Sequence, residues 1–382
     1  MSETLYLDTA ATTPVRREVL EAMWPYLTGE FGNPSSRHDL GESAALAVRA
    51  ARASVAERLG CRPSEVIFTS GGTEADNLAV KGIALGDPRG RHLVTTPIEH
   101  EAVRESADYL RRLHGFEITE LPVDGQGRVA PEELERALRP DTTLVSIQHA
   151  NNEVGTVQSI VELAGIARDA GVPIHTDAVQ SAGALEVGLA SLGVDAVSIA
   201  GHKLGAPKGV GALAIRAGLP LEPVLHGGGQ ERGRRSGTEN VAGVVALARA
   251  LELAAEERPR QERLAEVRDA LIAGVLERVP GALLTGSREH RLPGSASFCF
   301  PGTGGEAVLL ELQARGIVCS SGSACAAGSD EPSHVLLALG IDPAVAQTAV
   351  RFTLPAEVTR EQAEAVVERV VEAVAAVGGL RR

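Results

Sequence analysis

Two charged residues stand where a buried chain has little reason to tolerate them. In "IHTDAVQS" (174–181) Asp177 closes an apolar run, and in "VSIAGHKLGAPKG" (197–209) Lys203 follows another. A carboxylate at the end of a buried strand is costly unless it meets a cation or several donors. An amine near apolar walls shifts its pKa readily. Each alone is more often a solvated side chain, but two at the ends of apolar strands in one sheet point to a site. A third stretch, "SGGTEADN" (70–77), follows another strand. Its glycines let a ligand approach the backbone, Thr73 brings a hydroxyl, and a helix start there offers free N–H groups to a phosphate. The plain alternative is that Thr73 only caps that helix.

A phosphate seat, a strand-end carboxylate and a strand-end lysine together suggest pyridoxal phosphate. The lysine would hold the aldehyde covalently, the aspartate would keep the pyridine nitrogen protonated, and the ring would become an electron sink. Other phosphate ligands lack support. The single GxGxxA match, Gly209 to Ala214, leads into a strand instead of a helix, and no GK[ST] loop exists.

The thiol in "CSSGSACAAGSDEP" (319–332) poses a separate question, because Cys325 sits among small residues that offer little apolar surface to pin it. It is either an incidental surface cysteine or a reactive sulfur on a tether. Asp330 and Glu331, if close in space, would raise its pKa instead of lowering it. Cys61 lies in a turn before a strand and Cys299 in the apolar "SFCF"; neither is assigned chemistry, and Cys319 reads as structural. No CxxC, HExxH or Cys/His cluster suggests a metal.

The elements that must position these groups are legible as alternation. "EVIFTS" (65–70), "HLVTTP" (92–97), "FEITELPV" (116–123), "TLVSIQHA" (143–150), "VPIHTDA" (172–178), "DAVSIAG" (195–201) and "VGALAIR" (210–216) read as strands. Amphipathic stretches such as 99–115 and 159–171 lie between them. Apolar strands without alternation, separated by helices, predict a mostly parallel sheet covered on both faces. Ligands to such sheets bind beyond the carboxyl ends of the strands, where Asp177 and Lys203 fall. After 240–257 Pro259 interrupts a long helical stretch, and shorter strands mix with helices. The fold class is therefore α/β: a large domain over 13–258, plus a smaller α+β domain formed by 1–12 and 259–382.

Composition sets bounds. At 382 residues the chain suits about two domains. A formal charge of −13 with no run of like charges argues against nucleic acid and anionic membranes. No stretch reaches the ~20 apolar residues of a membrane helix, and "MSETLYLDTAATTP" is not a secretory signal, so the cytoplasm is the expected compartment.

Ten blocks in order carry a resemblance: "YLDTAATTP", "FGNPSS", "FTSGGTEADN", "IEHEAV", "NNEVGTVQ", "HTDAVQS", "GHKLGAPKGVGAL", "HGGGQERGRRSGTEN", "SSGSACAAG" and "VRFTL". Over nearly its whole length the chain resembles the NifS-like cysteine desulfurases, fold type I (aminotransferase-like) pyridoxal-phosphate enzymes. "SSGSAC" is similar to the subgroup with a long cysteine loop. The resemblance implies Lys203 as the lysine bound to the aldehyde, Asp177 beside the pyridine nitrogen and Gln180 at the ring hydroxyl. His100 would stack on the ring and act as acid and base. Gly72, Thr73 and His202 would hold the phosphate, with Thr238 reaching it from a second subunit of a homodimer. Asn152 would sit beside the cofactor, Arg351 and Asn33 would grip the substrate carboxylate, and Cys325 would take sulfur from L-cysteine to give L-alanine and a persulfide. That sulfur would pass to an acceptor protein such as an iron–sulfur scaffold. Relatives often carry Ser where Ala200 stands, so one phosphate hydrogen bond is expected to be missing; Gly72 replaces a more usual Ala. A selenocysteine lyase or dual-substrate enzyme, an aminotransferase, and a non-catalytic sulfur-carrier scaffold remain the competing readings. Without the resemblance, His100 could be a helix cap and Arg351 an ordinary strand-edge arginine.

Overall fold

The computed structural model describes residues 4–322 and 331–379. All seven expected strands meet in one sheet, in the spatial order Val66–Thr69, Gly211–Ile215, Ala196–Ala200, Ile174–Asp177, Thr142–Ser146, His92–Thr95, Glu117–Glu120. The pairings are parallel except for Gly211–Ile215, which runs antiparallel to both its neighbours. The sheet is thus mostly parallel, as the unbroken apolar runs predicted. Six strands are buried along their whole length, and only the edge strand Glu117–Glu120 reaches solvent.

Successive side chains on these strands feed two different cores. Phe68, Val145, Val197 and Ala214 pack among the helices Arg17–Thr28, Asp39–Arg58, Ile160–Asp169 and Val241–Glu257. Ile67, Leu144, Ala196 and Leu213 face Gly72–Gly86 and Glu101–His114 on the other side. A third core gathers Leu7 with residues between Leu264 and Val377, around the antiparallel strands Leu283–Leu284, Ser295–Cys299 and Ala349–Thr353. Pro259 does not simply end a helix. It lies in a 3-10 turn, Arg258–Arg260, that joins Val241–Glu257 to Gln261–Arg278. A proline within the first turn of a helix loses no bond it would have made, so the chain can re-enter helix at once. Among the described residues no helix is long and apolar enough to cross a membrane.

Candidate active site

The helix Glu101–His114 shows how local sequence places a functional group. His100 is its N-cap: Nδ1 accepts the Ala102 N–H at 3.1 Å. Arg111, Arg112 and His114 favour its carboxyl end electrostatically, and Gly115 closes it with φ 69°. Capping occupies Nδ1, so the neutral ring carries its proton on Nε2. His100 also lines the main cavity. The cap and the functional reading are therefore compatible, one nitrogen for each.

Asp177 ends the strand Ile174–Asp177 and is 8% exposed. Its Oδ1 accepts the Val179 N–H at 2.8 Å. Lys203 ends the 3-10 turn Gly201–Lys203, directly after the neighbouring parallel strand. Its Nζ donates to the Ala10 carbonyl and, at 2.7 Å, to that of Ala11. Both residues border one cavity of about 890 Å³, together with Gly72, Thr73, His100, Asn152, Gln180, His202 and Arg351. Gln180 Nε2 donates to Ala10 O at 3.1 Å, and His202 Nδ1 lies 3.1 Å from Thr12 Oγ1. The helix Gly72–Gly86 starts at this cavity with Gly71 as N-cap and no side-chain cap bond, so Thr73 does not serve as the cap.

Arg351 is no strand-edge arginine. It lies mid-strand in Ala349–Thr353 and is 1% exposed. Nη2 pairs with Asp8 Oδ1 at 2.6 Å, Nη1 donates to Asn152 O at 2.7 Å and Gly322 O at 3.0 Å, and Nε is buried without a hydrogen-bond partner. Two predicted residues stay outside this cavity. Asn33 is exposed and its Oδ1 accepts the Ser35 N–H, while Thr238 is exposed at a separate cavity of about 80 Å³. Cys325 lies outside the described residues.

Sequence reasoning missed a set of buried acids. Asp76 and Glu99 border the cavity beside Asp177, each about 1% exposed. Burial raises Asp76 well above the usual carboxylate range, and Asp177's charge adds to it; Asp76 Oδ1 has no hydrogen-bond partner. Burial likewise pushes Glu99 up to about 8, against hydrogen bonds from Thr96 Oγ1 and Gln148 N. Burial also raises Asp177, but His100 and Lys203 pull it back. Asp76 could have been found from its spacing: three residues after Thr73, it shares a helix face with it. Burial pushes His149 to about 4 and His202 to about 4, so both imidazoles are neutral at pH 7.

These residues fit pyridoxal phosphate. The cavity has room for a ring with a phosphate. Its floor holds buried carboxylates in need of a proton or a cation, and its rim combines an amine, a neutral imidazole and a helix start. Around Gly72 the space is already tight. A Cβ at Gly72 would meet Val179 Cγ2 at 2.7 Å and Ala200 Cβ at 3.3 Å, so a larger residue there would need a neighbour to shift. Fold and cavity together define a pyridoxal-phosphate enzyme.

The aminotransferase class-V family model matches residues 5–366. The chain is 48% identical to "Cysteine desulfurase IscS" of Dictyoglomus turgidum, over 97% of this chain and 95% of that protein. It is 46% identical to the protein of the same name from Methanosarcina thermophila, over 98% and 92%. Among solved structures, a "NIFS-LIKE PROTEIN" superposes with a TM-score of 0.90 at 40% identity, covering 97% of this chain and 99% of the other. Another, titled "SspA in complex with cysteine", gives 0.80 at 36%, covering 92% and 99%. The chain belongs to the class-V aminotransferase family and, within it, to the cysteine desulfurases.

Proposed function

We propose that the chain releases sulfur from L-cysteine, giving L-alanine and a persulfide on Cys325, and passes that sulfur to an acceptor protein. One observation carries the reading. Lys203, Asp177, His100 and Arg351 share a single cavity, and the residues flanking the segment of Cys325 reach the same place: Gly322 O accepts from Arg351, and Ser333 lines the wall. An aminotransferase would have no use for a cysteine-bearing segment whose flanking residues meet this cavity. Several relatives are named cysteine desulfurases, and one similar structure was solved with cysteine.

When bound, pyridoxal phosphate would supply an electron sink for charge released at the substrate Cα. Asp177 would face its ring nitrogen, Lys203 Nζ would hold the aldehyde, and His202, Thr73 and the Gly72 N–H would hold the phosphate. Arg351 would bind the substrate carboxylate, since a guanidinium can offer two parallel N–H donors. Once substrate displaces it, the Lys203 amine is the group placed to take the Cα proton. His100 carries its proton at Nε2 and can donate it toward the substrate. Cys325 thiolate attacks the substrate sulfur: an S–S bond forms, the C–S bond breaks, and its electron pair stays on carbon. That carbon then takes up a proton and becomes a methyl group, and the proton taken from Cα is returned there, which completes alanine; no outside oxidant is required.

The acceptor we favour is an iron–sulfur scaffold, and the compartment the cytoplasm, where free thiols persist. We further propose a homodimer, because Asn33 and Thr238 lie outside their own chain's cavity. The decisive test is mass spectrometry after turnover. One extra sulfur on residue 325 supports the proposal, and sulfur found elsewhere defeats it. Cys325→Ala should abolish sulfide release from cysteine while the yellow cofactor band remains. Running selenocysteine in parallel separates a lyase, which would release selenide without Cys325.

A further inference from the structure

The loop "NNEVG" places a carboxylate that the mechanism above does not use. Asn151 fixes its backbone: Oδ1 accepts the N–H groups of Glu153 and Val154, both at 2.8 Å, and Nδ2 donates to Ile98 O at 3.0 Å. The Glu153 side chain is buried, 4% exposed, and lines the cavity. Its Oε2 accepts the Ser333 hydroxyl at 2.5 Å. Ser333 in turn caps the helix His334–Ala338, accepting the Leu336 N–H at 3.2 Å. On the other side Glu153 faces Gly322, where an added Cβ would sit 3.5 Å from Glu153 Cβ and 3.6 Å from Oε2. Gly322 has φ 100°, a left-handed conformation that favours glycine.

Gly322 and Ser333 bracket residues 323–330, and thus Cys325. Glu153 is hydrogen-bonded to Ser333 and lies beside Gly322. Arg351 reinforces the first anchor, bonding Gly322 O through its side chain and exchanging two main-chain bonds with Ser320. Arg351 also reaches the carbonyl of Asn152, the residue before Glu153; burial raises the Glu153 pKa, and the Ser333 hydrogen bond and the charge of Arg351 oppose that rise. The carboxylate-binding arginine and both ends of the thiol-bearing segment therefore converge on one glutamate.

We propose that Glu153 is a positioning residue for sulfur transfer: it holds the two ends of the Cys325 segment together beside Arg351, and so sets where the thiol can reach. The inference rests on Cys325 as the sulfur acceptor. The reach of any tethered nucleophile is set by where its tether is anchored. Its effective concentration at its target depends steeply on that reach.

The test is a single turnover of the holoenzyme with L-cysteine, comparing wild type with Glu153→Ala, Glu153→Gln and Ser333→Ala. Two signals are followed: the spectral change of the cofactor on cysteine binding, and the gain of one sulfur on residue 325. Glu153→Ala should slow sulfur gain by about tenfold or more, with the spectral change kept within about threefold in rate and half-saturation. Ser333→Ala, which removes one anchor and leaves the carboxylate, should show the same split more weakly. Glu153→Gln keeps an acceptor oxygen and should recover part of the loss. Wild-type sulfur gain in both alanine variants would overturn the proposal, as would parallel loss of both signals in all three. Cys325→Ala, run alongside, tests the acceptor separately: sulfide release that survives there removes Cys325 whatever Glu153 does.

Discussion

Four cysteines share this chain, and burial holds three of them as thiols. It raises Cys61 to about 12, Cys299 to about 11 and Cys319 to about 12. At pH 8 such groups are roughly one part in a thousand thiolate or less. Iodoacetamide at that pH should therefore label residue 325 well before the other three, as peptide mapping would show; Cys319 reacting as fast would contradict this. If activation occurs only in the loaded pocket, residue 325 in the resting enzyme should react like an ordinary thiol as pH rises. The buried acids give a second prediction. Glu99 has its folded-state pKa raised from 4.5 to about 8, so its stabilising contribution is complete below the lower value and is lost as pH rises through the higher one. Glu99→Gln keeps an acceptor oxygen for Thr96 and Gln148 and cannot ionise. Its melting temperature should fall less than that of wild type between about pH 5 and 8. Parallel curves would show that Glu99 is not the titrating group.

Among the elements, the helix Arg17–Thr28 is the least expected. Leu20, Trp24 and Leu27 are 48%, 59% and 54% exposed on it, and Phe31 just beyond is 67% exposed. Spacings of four and three residues place Leu20, Trp24 and Leu27 along one helix face. We propose that these exposed apolar side chains belong to the dimer interface; Asn33 lies two residues past Phe31. Trp24→Asp should shift the protein from dimer toward monomer in analytical ultracentrifugation, and lower cofactor retention if Thr238 and Asn33 serve a neighbour's site. A dimer that persists unchanged would place the interface on another face.

At the scale of the whole molecule, we propose that residues 13–258 fold around the seven-stranded sheet, while 1–12 and 259–382 form a second unit. Trp24 is the only tryptophan and belongs to the first. Unfolding in guanidinium followed by its fluorescence should not coincide with unfolding followed by far-ultraviolet circular dichroism, which reports both units. Superimposable curves would argue for one cooperative unit. The active site depends on this division, since Asp8 and Arg351 come from the proposed smaller unit whereas Lys203 and Asp177 come from the larger.

The order of blocks and the apolar runs by themselves determined the sheet and the family, and singled out Lys203 and Asp177 as candidates; His100 and Arg351 came only with the resemblance. Such features are local: a strand that must be buried on both faces shows it in its own composition, and a polar residue closing that strand is visible beside it. Only the tertiary structure showed that Asp76 and Glu99 crowd Asp177, that Arg351 is paired with Asp8, and that Glu153 bonds Ser333 beside Gly322. These relations join residues up to 343 positions apart. Their energies come from desolvation and charge at close range, which spacing along the chain does not encode.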